Sequence, residues 1–262
     1  MTEEWSVVVP IKQVPDGDDI TIDPDTGTLN RSEAAAVLNP PDRNALEAAL
    51  RIKDEIDAHL TAITMGPPGA AEVLEIAVAL GCDDAALITD RAFAGSDTWP
   101  TSLTLAEGAD YFDADVVVCG EETTDSSTGQ VPPGIAAHKG WAQLTYVEEL
   151  EPRPEDDQLV GHRDIEGGFE RVAADLPVVV AIGYGENVPR PAGLHRKIYA
   201  ESEFEPLELD ADDLGIDRDV VGLPASPTKV GGQDTVEPVP REREIVDDID
   251  ALAEAIAEGV ES

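Results

Sequence analysis

The 262-residue chain is short of basic residues, aromatics, histidine and cysteine, and each scarcity rules something out. Lys and Arg number 17 against 56 Asp and Glu, a net charge of -39. Nucleic acid and anionic membranes are bound through clustered cations, so neither is expected as a partner. Cys82 and Cys119 stand far apart in apolar surroundings without a partner motif, which argues against a disulfide framework and fits a reducing compartment. The four histidines are not paired at ligand spacing, so no metal site is expected. No apolar run reaches the length of a membrane span, and Met1–Trp5 has no apolar signal core; the expectation is a soluble, cytoplasmic protein. Missing too are a Gly-x-Gly-x-x-Gly after the first apolar run, a Gly-x-x-x-x-Gly-Lys-Ser/Thr and a Gly-x-Ser-x-Gly. A standard dinucleotide fingerprint, a P-loop and a serine hydrolase are disfavoured, and no catalytic constellation emerges.

What the chain has is acid and alternation. Acidic stretches recur at Asp16 to Asp19, Asp54 to Asp57, Glu148 to Asp157, Glu201 to Asp213 and Asp247 to Glu261. They could form a patch for a basic partner, but their spread favours a salt-adapted, halophilic surface. Asp23-Pro24-Asp25-Thr26-Gly27 lacks the later ligands of a calcium loop and reads as a hairpin turn within Ile20 to Leu29. Strands are expected at Val7–Val9, Leu60–Met65, Ala85–Thr89, Val116–Cys119 and Gln143–Val147. Helices are expected after Asn39-Pro40-Pro41-Asp42, after Gly66-Pro67-Pro68-Gly69 and over Asp97–Glu107. Such alternation predicts an open, mainly parallel α/β sheet. The connector Glu148–Asp157 should lead to a hairpin about Glu166-Gly167-Gly168, then to a buried strand at Val178–Ile182.

The segment Gly120–Pro133 carries the chemistry. It follows the apolar run Val116–Cys119, is rich in hydroxyls and glycine, and ends in two prolines suited to a first helical turn. Alone, it is equally an ordinary loop whose Ser and Thr cap the helix, or a cradle whose orphan amides hold a phosphate. If the first strand lies beside the fourth, Pro10 to Lys12 and Gly120 to Val131 border one crevice at the switch point where such sheets bind ligands, which favours binding.

Gly161-x-Arg163-x-x-Glu166-Gly167-Gly168-x-Glu170-x-Val172, followed by Pro177-x-Val179-Val180-Ala181, resembles the signature of electron transfer flavoprotein β subunits. Lys12-Gln13-Val14-Pro15-Asp16, Asn39-Pro40, Met65-Gly66-Pro67, Asp90–Thr98 and Asp125-x-x-Thr128-Gly129-Gln130-Val131-x-Pro133 fall in the family's order. The resemblance implies an adenine-nucleotide-binding, Rossmann-like domain (residues 1–205) with a hairpin extension. It also implies a wrapping arm with a terminal helix (residues 206–262) that contacts an α subunit in a heterodimer. It further implies an electron carrier without catalytic residues, passing electrons from flavin dehydrogenases or NADH toward a quinone oxidoreductase. The family's ligand contacts carry over onto Pro10 and Lys12, onto Asn39, Pro40, Pro41 and Asp42, and onto Met65 and Gly66. In the loop they fall on Gly120, Asp125, Ser126, Ser127, Thr128, Gly129, Gln130 and Val131.

Family members hold either AMP in β, with a single FAD mainly in α, or a second FAD in β. The run Thr128–Pro133 is similar to the Fix-type and electron-bifurcating pattern, where AMP-only members carry an Asn-Gln-Thr run, so FAD is favoured. Arg163 and Arg171 could stabilise a reduced flavin, though arginines flanking a hairpin in so acidic a chain more often pair with carboxylates. Asn187–Ile198 is expected as an exposed recognition loop, with Leu194 where the family anchors in a dehydrogenase; its continuation Ile198-Tyr199-Ala200-Glu201 departs from the usual lysine-rich one. Asp217–Glu242 is patternless and should lie along another surface. It leads to a helix with Ile245, Ile249, Leu252, Ile256 and Val260 on one face, expected to dock on the α subunit. The competing class is a stand-alone adenine-nucleotide-binding sensor, which would need neither hairpin, recognition loop nor arm.

Overall fold

Valine-rich runs build the middle of the sheet, and alternate residues pack on opposite faces. Val7, Val9, Val116, Val118, Val178 and Val180 join one buried cluster, and Val8, Val117 and Val179 join another. Runs buried on both sides are what parallel strands covered by helices require. The computed structural model describes residues 4–16, 36–185 and 187–229, with 248, 249, 252, 253 and 256 beyond them. The expected hairpin Ile20–Leu29 with its turn Asp23–Gly27 lies outside the described residues, as do Ile245 and Val260.

The strands are β1 (Trp5–Pro10), β2 (Gln13–Pro15), β3 (Ala36–Leu38), β4 (Ala58–Met65), β5 (Asp84–Ile88), β6 (Val116–Gly120), β7 (Ala142–Arg153), β8 (Gln158–Ile165), β9 (Gly168–Asp175), β10 (Val178–Ile182) and β11 (Leu207–Leu209). Helices are α1 (Pro40–Glu55), α2 (Glu72–Leu80), α3 (Thr98–Tyr111), α4 (Val131–Lys139), α5 (Leu194–Ser202) and the short α6 (Gly222–Ala225). The main sheet runs β11-β5-β4-β1-β6-β10-β7-β8-β9; β2 and β3 form a separate antiparallel pair. Pairing is parallel from β11 to β7 and antiparallel through β8 and β9. This is a Rossmann-like open sheet with a hairpin extension. α1, α2 and α5 supply one buried cluster, α3 and α4 the other.

Helix starts follow local chemistry. Pro40 and Pro41 open α1 with Asp42 in the first turn, and the Asp97 carboxylate caps α3 by accepting from the Trp99 amide at 3.0 Å. Both cysteines are free and buried, and burial pushes the Cys82 thiol up to about 12.

Three expectations change. Glu148–Asp157 is not a connector throughout: residues through Arg153 continue β7, which pairs with β10 in its first half and β8 in its second. Its acids are tolerated because that half is only partly covered, and Glu151 pairs with Arg153 and Arg171. The expected boundary after residue 205 falls inside the folded unit. β11 pairs with β5, and one compact unit runs Met1–Lys229, with Val230–Ser262 as a second. The patternless stretch from Asp217 is packed on its own chain as far as Thr228. Leu223 donates to the Ala94 carbonyl at 3.0 Å, and the Thr228 amide to the Asp97 carboxylate at 2.7 Å. In the second unit the described Ile249, Leu252 and Ile256 are exposed and helical.

Candidate functional site

β1 lies between β4 and β6, so the direction of winding reverses at the β1/β6 boundary, and the carboxyl ends of these strands form the crevice expected from the sequence. Pro10 is buried there, and the chain leaves β1 through Ile11, whose amide donates to Ile63 at 2.8 Å. The Lys12 amide donates to the Asp42 carboxylate at 2.8 Å, and the Lys12 carbonyl accepts from the Asn39 amide at 2.9 Å. Asn39 then reaches the loop after β6: its Nδ2 donates to the Glu122 carbonyl at 3.0 Å, and its Oδ1 accepts from the Thr124 amide at 3.1 Å. Lys12 Nζ closes the ring on Asp125 at 2.7 Å.

Close approach of α1 to β6 explains Gly120. A Cβ there would stand 2.5 Å from Asp42 Oδ1 and 2.8 Å from the Pro41 carbonyl carbon. Burial pushes the Asp42 carboxyl up to about 7, against hydrogen bonds from the Asn39 side chain and from the Lys12 and Gly120 amides. Burial also opposes ionisation of Asp125, but hydrogen bonds from Lys12 and Thr123 outweigh it and hold that carboxyl below its usual range.

Ser126 to Gln130 form an exposed run between a turn and α4, which begins at the half-buried Val131. The Thr123 carbonyl accepts from the Ser126 and Ser127 amides at 3.2 and 2.7 Å. Thr98 Oγ1 donates to Gln130 Oε1 at 3.1 Å, tying the α4 start to α3. Among the described residues no acceptor engages the amides of Thr128, Gly129 or Val131. Gly129 has φ 62, and of the surroundings only the Glu121 carbonyl comes near the position of a Cβ, at 3.8 Å. Free amides over open space fit a phosphate. Thr64 Oγ1, at the carboxyl end of β4 beside Met65 and Gly66, is buried without a hydrogen-bond partner. That is a second place where a ligand's polar atom fits.

The structure thus draws Pro10, Lys12, Asn39, Pro41, Asp42, Gly120 and Asp125 into one network and puts Ser126 to Val131 beside it. Met65 and Gly66 lie two strands from Gly120, held instead to β5 through the Gly66 amide and the Ile88 carbonyl at 3.1 Å. Pro40 serves to start α1.

Leu194 lies elsewhere and is 74% exposed, which contradicts packing under its own loop. It opens α5 rather than ending a loop, because Gly193 is the last breaker before a run of good helix formers. The loop before it is anchored to α1. Asn187 and Asn44 bond each other at 2.9 to 3.0 Å, and Arg190 grips Glu47 at 2.9 Å. These residues were missed, although Asn44 and Glu47 interrupt the apolar stripe of α1 and so carried a visible signal. Arg163 pairs with Glu170 at 2.7 Å and Arg171 with Glu151, as expected of hairpin arginines.

The electron transfer flavoprotein domain profile matches residues 26–208. The electron transfer flavoprotein subunit beta of Clostridium acetobutylicum is 43% identical, covering 92% of both chains. The chain belongs to the electron transfer flavoprotein β-subunit family. The caffeyl-CoA reductase-Etf complex subunit CarD of Acetobacterium woodii is 40% identical over 86% of this chain and 85% of its own. Protein FixA of Sinorhizobium fredii is 37% identical over 95% and 89%. Electron transfer flavoprotein β subunits are electron carriers, flavin-associated and partnered by an α subunit. Among the described residues no helix is long and apolar enough to cross a membrane.

Proposed function

We propose that this chain pairs with an α subunit and carries electrons between flavin dehydrogenases, or NADH, and a quinone oxidoreductase, with FAD held at the β1/β6 crevice. The observation that carries the reading is the locked ring Lys12–Asp42–Asn39–Glu122 beside a loop with three free amides. FAD is favoured over AMP because relatives named FixA and CarD stand at 37 and 40% identity, and because Thr128–Pro133 follows the Fix-type pattern. Splitting of electrons between two paths accompanies a second flavin in such members and is part of this proposal.

When bound, the isoalloxazine supplies the electron chemistry. The chain's own residues bind and orient. Amides of Thr128, Gly129 and Val131 hold phosphate, Asn39 and Asp42 fix the helix start against the loop, and Lys12 sets the position of Asp125. The exposed Leu194 offers a dehydrogenase contact at the start of α5, after a loop tied to α1 through Asn44 and Glu47. The exposed Ile249, Leu252 and Ile256 belong to the arm that docks on the α subunit.

Co-expression with a family α chain tests the pairing. The expected product is a one-to-one complex with visible flavin absorption. A colourless, stable monomer that ignores the α chain would contradict the reading and favour a stand-alone nucleotide sensor.

A further inference from the structure

Leu194 stands on a segment with little apolar packing of its own. Within α5 only Ala200 is buried. Between α5, α2 and residues 189–192 a cavity of about 390 Å³ remains, lined by Ile76, Ala79, Pro191, Ala192 and Lys197 among others. Groups that face open space gain no contacts there, so packing alone holds the segment weakly. Two guanidinium groups hold it instead, one four residues before Leu194 and one two residues after.

Arg190 is the first clamp. The carboxylate of Glu47 on α1, a residue 5% exposed, accepts from the Arg190 amide at 3.0 Å, from Nε at 2.9 Å and from Nη2 at 3.3 Å. Arg190 Nη2 also donates to Asp54 at 2.8 Å. Burial opposes ionisation of Glu47, but hydrogen bonds from Arg190 and Arg51 outweigh it and hold that carboxyl below its usual range. Pro191 follows with its φ locked, which leaves few free torsions between this clamp and Leu194. Arg196 is the second clamp. Its Nε donates to the Val78 carbonyl at 3.1 Å and its Nη2 to the Cys82 carbonyl at 2.7 Å, where α2 ends. The last carbonyls of a helix lack intrahelical partners, and the helix dipole favours a cation beside them.

The structure assigns Arg190 and Arg196 a positioning role: from either side they fix Leu194 in the orientation in which a dehydrogenase meets it. This rests on the Leu194 contact proposed above. Both guanidinium groups are engaged by their own chain, so they act through Leu194 rather than on the partner. A side chain already ordered before docking loses less freedom when it binds, and affinity rises accordingly. Lysine is no equivalent, because a point charge cannot reproduce a planar fork that meets two acceptors.

The αβ complex tests this in an assay with a flavin dehydrogenase that reduces the wild-type complex. Arg190→Met and Arg196→Met, made separately, should each raise KM for the complex about threefold to tenfold, with kcat and flavin content unchanged. Arg190→Lys and Arg196→Lys should recover part of the loss, since one hydrogen bond of each fork survives. The deciding readout is a double-mutant cycle. In a Leu194→Ala background the same changes should alter KM by less than about twofold, because positioning matters only while the positioned side chain is present. Either arginine alone completes a cycle should the other variant not assemble. Fully multiplicative effects on KM would overturn the proposal, making the arginines structural, and so would a wild-type KM in either single variant. A wild-type KM for Leu194→Ala itself would instead remove the docking contact on which the proposal stands.

Discussion

Asp42 shows how one buried side chain joins fold and site. It is protonated in the folded chain up to about pH 7, whereas in the unfolded chain it ionises near pH 4. The folded state therefore binds more protons between these values, and the stability this group contributes is present at the acid end and lost as pH rises toward 7. Asp42→Asn keeps an acceptor for the Lys12 amide and removes the titration. Denaturant midpoints of wild type and variant should diverge progressively from pH 4 to 7, in the variant's favour by up to about 4 kcal/mol, and run parallel above. Identical profiles would show that Asp42 ionises normally. Gly129 makes a second claim at this scale. A β-branched residue at φ 62 costs roughly 1–2 kcal/mol locally. Gly129→Val should release bound nucleotide at least tenfold more readily, assayed by chromatography of the complex, and unchanged retention would count against the loop. That Asp42 starts a helix was legible from its motif, and its place beside the crevice only from the family resemblance. Its proton was not, because burial arises from a close approach to Gly120, 78 residues away in sequence.

Elements with a strong period were legible, and those held by side-chain bonds were not. β1, β4, β5, β6 and β10 stand where apolar runs put them, and α1 starts at its prolines. β7 outran its expected end because Glu148–Arg153 carries acids where a strand pattern calls for apolar residues, and those acids are offset by arginines from the same hairpin. The Asp217–Thr228 stretch has no period because loop-to-loop bonds to Ala94, Ser96 and Asp97 hold it. α5 begins at Leu194, whose side chain is mostly in solvent. Leu194→Ala should therefore change stability by less than about 0.5 kcal/mol. It should weaken coupling to the dehydrogenase about tenfold, read as a raised KM for the complex in a dehydrogenase-linked assay. An unaltered KM would remove Leu194 from the contact.

For the whole molecule, strand order is decisive. The reversal beside β1 brings a strand end, a helix start and the Gly120–Val131 loop to one edge, which alternation predicts without fixing where β10 inserts. Exposed acids such as Glu55, Asp110, Glu149, Glu203 and Asp213 sit on different elements. The most direct measurement is the flavin and AMP content of each αβ pair in undenatured complex. Two flavins and no AMP are predicted; one flavin with one AMP would contradict the account.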